Sequence, residues 1–174
     1  PGKGMYSRVY LQVLNQYYFV ESCMSFNHSY TDSGLFGFSI SGLKQAAHVL
    51  PEIVCDQLTR TMAEGKDGLQ VDEEERAKKQ LRSSLLMNLE SKMVQLEDLG
   101  RQTQVRGKRI PVDEIVKKIE SLTVDDIRRV AKRVLTGNAN NVGNGTGKAT
   151  FVSLGLPKEL DLSPVVDYFN LGKR

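Results

Sequence analysis

The chain has 174 residues, 40% hydrophobic and 26% charged, with a formal net charge of +3 at pH 7. That length allows one domain with a real core, and no apolar run nears the ~20 residues of a bilayer span, so no transmembrane segment is expected. The charge is interleaved, with Asp72, Glu73, Glu74 and Glu75 ahead of Lys78, Lys79 and Arg82. This reads as a solvated helix face, and no nucleic-acid partner is expected.

Pro1-Gly2-Lys3-Gly4 is a glycine-rich loop, expected to continue upstream, that runs straight into an amphipathic pattern. Met5, Val9 and Val13 recur at four-residue steps, with Tyr6, Tyr10, Leu14 and Tyr17 beside them, predicting a core helix over 5–17. From Val20 the period changes to two. Val20, Met24, Phe26 and Tyr30 are expected on one face, and Glu21, Ser25, Asn27 and Ser29 on the other. Thr31-Asp32-Ser33-Gly34 signals a turn, and Phe36, Phe38 and Ile40 then alternate with small residues. Residues 20–41 therefore read as an antiparallel hairpin with one buried face.

Helical spacing returns over 43–62, where Pro51 either kinks the helix or opens a second, shorter one. Gly65 and Gly68 break the chain, and Asp72 with Glu75 fits a capping box. Ala77, Leu81, Leu85, Leu89, Met93, Leu96 and Leu99 then define a long apolar stripe. The helix is expected to bend or break near 91–93 and to end by Gly107. Pro111 opens a helix over 112–122, with Ile115, Val116 and Ile119 apolar. Thr123 with Asp126 caps another over 124–135, with Ile127, Val130, Ala131 and Val134 inward. The Gly- and Asn-rich stretch 136–148 reads as a flexible loop, 149–154 as a strand, and 157–174 as a surface tail. Within that tail Val165, Val166, Tyr168 and Phe169 are able to dock as a last helix. The expected fold class is α+β: an antiparallel sheet packed against helices in a single, partial domain over 1–174, which strands upstream of Pro1 are expected to complete.

Chemistry-bearing motifs are sparse. His28 and His48 are the only histidines, and neither H-E-x-x-H nor H-x-x-E-H occurs, so no metal site and no catalytic residue is expected. Cys23 and Cys55 stand too far apart for a zinc finger and read as buried thiols. Residues 143–148 imitate a phosphate loop. Val142 replaces its first glycine and Ala149 its magnesium-binding hydroxyl, and a strand follows where the motif needs a helix. The glycines of the opening loop admit a different use, since they let backbone groups approach an extended peptide closely.

Several stretches together resemble one family: Pro1-Gly2-Lys3-Gly4-Met5-Tyr6-Ser7-Arg8, Asn27-His28-Ser29-Tyr30 with Asp32-Ser33-Gly34, Leu86-Met87-Asn88-Leu89-Glu90-Ser91, and Glu97-Asp98-Leu99-Gly100-Arg101-Gln102. These resemble the C-terminal part of the α subunits of mitochondrial processing peptidases, within the pitrilysin-type, inverted-zincin metallopeptidases. The Tyr30–Gly37 hairpin also resembles core subunits of the respiratory cytochrome b–c complex. A structural role in that complex is the rival expectation.

The resemblance implies a heterodimer in the mitochondrial matrix. The β subunit would carry the zinc, with no cofactor on this chain. The α subunit would hold presequence peptides of imported precursors without cutting them. Pro1, Gly2, Lys3 and Gly4 match the end of the family's substrate-holding loop. Presequences are Arg-rich and poor in acids, so a receiving surface should offer carboxylates. Glu97 with Asp98 is the first candidate pair, and Glu73 the next.

Overall fold

The computed structural model describes residues 4–136, 149–155, 163–169 and 171. The expectations for residues 1–3 of the opening loop, for 137–148 and for 156–162 lie outside the described residues.

The expected opening helix forms only in part. After a turn closed by the Ser7 N–H donating to the Gly4 carbonyl, the chain makes a π-helical turn, Tyr10–Leu14. The Asn15 N–H donates five residues back to the Tyr10 carbonyl at 2.9 Å. Val9 and Val13 enter the core, whereas Met5 and Tyr6 are exposed. The stripe drawn through Met5 thus starts one turn too early.

Strands β1 (Val20–Ser29) and β2 (Gly34–Gly42) pair antiparallel, as the alternation predicts. Among the described residues they form a two-stranded sheet. The buried face of β1 differs from expectation. An irregularity in the pairing between Val20 and Ser22 shifts the strand by one residue. A one-residue shift exchanges the faces of a strand, so Cys23 rather than Met24 faces the core. Cys23 stands opposite Ile40, and Phe38 is opposite Ser25. Cys23, Phe38 and Ile40 pack on the core, while Met24 and Tyr30 are exposed. On the other face Phe26 lies across Gly37. A Cβ on Gly37 would stand 2.5 Å from the Phe26 ring, so a side chain there would push that ring from its present place.

A 3-10 turn, Lys44–Ala46, leads to helix α1 (Leu50–Met62), with Pro51 in its first turn. The second of the two expectations for Pro51 therefore holds. Ile53 joins Val9, Val13 and Val20 in the main core, with Tyr17, Phe19, Val49 and Leu50 around them. Helix α1 also contacts β2 and two later helices.

Helices α2 (Val71–Asn88) and α3 (Lys92–Arg106) are the expected long helix, broken over 89–91 and closed by Gly107. The capping box sits two residues earlier than predicted. The Gln70 N–H donates to Glu73 Oε2 at 3.0 Å. Asp72 and Glu75 instead make surface pairs with Arg76 and Lys79 one turn on. The apolar stripe along α2 and α3 is largely open: Leu81, Met93, Leu96 and Leu99 are exposed, and α3 has no buried residue.

Helix α4 (Val112–Glu120) stops two residues short of expectation and buries Ile119. Helix α5 (Val124–Leu135) starts at the predicted Thr123–Asp126 box, with the Asp126 N–H donating to the Thr123 hydroxyl at 3.2 Å. Ile127 and Ala131 are half-buried, but Val130 and Val134 are exposed. The strand expected over 149–154 is absent. Its residues join no ladder among the described residues, and Val152 and Leu154 are solvent-facing. A short last helix, α6 (Ser163–Tyr168), contacts α1 through a half-buried side that includes Val165 and Val166, while Tyr168 faces outward.

Candidate functional site

The site is organised by the first two turns of α2. Its N-terminus is set by Gln70, whose side-chain amide donates to the carbonyls of Gly65 (2.8 Å), Lys66 (3.2 Å) and Gly68 (2.9 Å). These bonds hold the 65–68 loop against the helix start. Gly68 itself is buried, and a Cβ there would run into the Ala63 carbonyl, so the loop closes this tightly only with glycine.

Arg8 reaches this corner from the turn that follows the opening loop. Its Nη1 donates to Glu73 Oε2 at 2.8 Å and to the Gly68 carbonyl at 3.0 Å, and its Nη2 donates to the Asp67 carbonyl at 2.8 Å. Both charged side chains are only 14% exposed. Charge-assisted bonds with so little water are stronger and more directional than surface pairs. Glu73 serves two purposes with one oxygen, binding Arg8 and capping α2. Two turns further along the same helix, Gln80 lies beside Gly4: a Cβ on Gly4 would stand 3.3 Å from its Nε2. The described end of the glycine-rich loop and Arg8 thus meet α2 at two points two turns apart, Gln80 and Glu73.

Glu97 and Asp98 stand elsewhere, on α3 beyond the break. Glu97 Oε1 accepts from Arg101 Nη2 at 2.7 Å, with both side chains about two-thirds exposed. Asp98 Oδ2 accepts from Gln102 Nε2 at 2.7 Å, and Gln102 Oε1 in turn accepts the Ile110 N–H. Asp98 thus steadies the end of α3, whereas Glu97 has only an exposed partner one turn away.

Other charges serve the scaffold. Glu74 is buried and pairs with Lys78, which also donates to the carbonyls of Glu120 and Leu122 and so ties α2 to the end of α4. Arg128 donates to the Ala63 carbonyl at 3.1 Å and joins α5 to the end of α1.

Among the described residues no group of three or more His, Cys, Asp and Glu could hold a metal ion. His28 and His48 are both exposed. Cys55 is fully buried, and burial, then Glu52, pushes its thiol up to about 11. Burial likewise raises Cys23.

Sequence reading found Glu73 but missed Arg8, its partner 65 residues away. No periodicity reveals so distant a contact. The Gly65–Gly68 loop was the available signal, since a tight glycine turn before a helix leaves carbonyls in need of a donor.

Residues 2–81 match the family described as Peptidase M16 inactive domain. Over the whole chain, 53% of residues are identical to a probable mitochondrial-processing peptidase subunit alpha of Schizosaccharomyces pombe, with 33% of that protein covered. Identity is 58% over 87% of the chain to the mitochondrial-processing peptidase subunit alpha of Neurospora crassa, with 26% of that protein covered. The chain spans about a third or less of the length of these curated relatives. A chain of Complex III2 from Candida albicans, bound to Inz-5, shares the fold with a TM-score of 0.63 at 21% identity, over 71% of this chain and 29% of that one. From these identities, the chain belongs to the family of mitochondrial-processing peptidase α subunits, among the M16 peptidases.

Proposed function

We propose that this chain is the C-terminal part of a non-catalytic, substrate-recognising subunit of the mitochondrial processing peptidase. It works in the matrix, where it holds Arg-rich presequences of imported precursors for cleavage by a zinc-bearing β subunit. The names of its relatives support the location and the partner. Pro1, Gly2, Lys3 and Gly4 supply backbone contacts to an extended peptide, Glu97 and Asp98 supply carboxylates, and Glu73 acts at the base of the loop.

One observation carries the reading. Glu97 sits on a helix with no buried residue, and its Arg101 pair is exposed on both sides. Such a pair contributes ~0.3–0.5 kcal/mol, so an incoming guanidinium displaces Arg101 at little cost. The rival role, as a structural subunit of the respiratory cytochrome b–c complex, has only a fold likeness in its favour.

The test is Glu97→Gln with Asp98→Asn in the full-length subunit assembled with its peptidase partner. KM for Arg-rich presequence peptides is expected to rise about tenfold, equivalent to ~1.4 kcal/mol, with kcat unchanged. An unchanged KM contradicts the proposal.

A further inference from the structure

We propose that Glu73 is a positioning residue: with Arg8 it clamps the glycine-rich loop to the first turns of α2 and does not itself touch the presequence. The inference rests on the substrate role just given to the loop.

Three observations converge on it. First, the Glu73 carboxylate is already occupied. Its Oε2 accepts both from Arg8 Nη1 at 2.8 Å and from the Gln70 N–H at 3.0 Å, and the side chain is only 14% exposed. An incoming arginine would have to break a largely desolvated pair, unlike the exposed pair at Glu97. Second, the guanidinium of Arg8 uses both its terminal nitrogens, reaching Gly68 and Asp67 as well as Glu73. A forked donor fixed at three points defines an orientation as well as a distance. Third, Arg8 follows Gly4 by four residues through a turn closed by the Ser7 N–H and the Gly4 carbonyl, and Gly4 lies against Gln80 two turns along α2 from Glu73. The anchor and the described end of the loop, Gly4, therefore rest on the same helix. A loop that binds through its backbone depends on the path of that backbone, and a displacement of about 1 Å in such a site costs up to ~10²-fold in turnover efficiency.

Direct contact and positioning predict different kinetics. The test uses the full-length subunit assembled with its peptidase partner, carrying Arg8→Met, Glu73→Gln or both. KM and kcat are measured with an Arg-rich presequence peptide and with the same peptide after half its arginines are replaced by glutamine. The clamp predicts that each single variant raises KM about tenfold for both peptides alike. The double variant should be no worse than the poorer single one, because either change opens the same contact. If Glu73→Gln penalises only the Arg-rich peptide while Arg8→Met leaves KM at the wild-type value, Glu73 touches substrate and the clamp is overturned. Wild-type KM in both variants also overturns it, while leaving the loop's substrate role standing. An unchanged KM when Gly2 and Gly4 are both replaced by alanine would instead overturn the loop's substrate role, the reading beneath the clamp. Should Arg8→Met fail to fold, Arg8→Lys keeps the charge and loses the fork. A raised KM for both peptides then supports the clamp, and an unchanged one contradicts it.

Discussion

Helices α1 and α3 both carry apolar residues at helical spacing, more strongly amphipathic in α1 than in α3, and they have opposite fates. Helix α1 buries Ile53 at 4% exposure and Cys55 at 1%, and it touches β2, α5 and α6. Helix α3 buries nothing, with Met93 at 73% and Leu96 at 67% exposure. Periodicity reports that a helix has an apolar side. What covers that side is decided by chain far away in sequence. The same contrast divides the charges. Arg8 with Glu73 is enclosed and forked, whereas Glu97 with Arg101 is exposed and one turn apart. The enclosed pair links two distant parts of the chain, whereas the open pair joins neighbours on one helix.

The largest break in this contrast should come from the core. Ile53→Ala is expected to destabilise the chain by about 3 kcal/mol in denaturant unfolding, because it removes buried methyls and leaves a cavity. Leu96→Ala should stay within about 0.5 kcal/mol. Equal costs would mean that α3 is packed and that its openness is not a property of the protein.

Next comes the clamp. Glu73→Gln should cost about 2 kcal/mol, since it leaves a desolvated guanidinium short of its charged acceptor. Glu97→Gln should cost at most a few tenths of a kcal/mol. A smaller loss, about 1 kcal/mol, is expected for Thr123→Ala at the start of α5. That cap also has a pH signature. The Asp126 carboxyl is held below its ordinary value, first by the Thr123 hydroxyl and then by Arg129. A lowered carboxylate stabilises the fold above its unfolded value and loses that contribution as pH falls through the folded one. Acid should therefore fray α5 from its N-terminus, read by amide exchange of residues 124–127. Thr123→Ala should weaken that acid dependence, leaving the part due to Arg129 and the Thr123 N–H.

The smallest effect concerns the thiols. Cys55 is enclosed and its thiol is raised to about 11, so at pH 8 it should resist a thiol reagent until the chain unfolds. Cys23, half-buried on β1, should react first. Equal labelling rates would show that the core around Ile53 opens readily.

Local signals carried most of the element list. The hairpin, the early Pro51, the break after Leu89 and the Thr123–Asp126 cap all follow from residues close together in sequence. What failed needed distant information. The irregularity at Val20–Ser22 put Cys23 in place of Met24, although the alternation around it is regular. The cap of α2 fell to Gln70 because its amide answers carbonyls of the preceding loop, which a search for Ser, Thr, Asp or Asn passes over. Residues 149–154 have strand-forming side chains but no partner strand among the described residues. At the candidate site, Glu73, Glu97 and Asp98 were recognisable as carboxylates in a suggestive pattern. Only the fold separates an occupied carboxylate from an available one.

The central proposal is that the carboxylates of α3, the exposed Glu97 and the half-buried Asp98, recognise arginine in an extended basic peptide. It is tested most directly by a cycle of affinities between the full-length subunit and a presequence peptide. One arm replaces a peptide arginine with glutamine, and the other carries Glu97→Gln with Asp98→Asn. The account predicts that each change alone weakens binding about tenfold and that the two together are no worse than one. Fully additive losses would mean that these carboxylates and that arginine never meet.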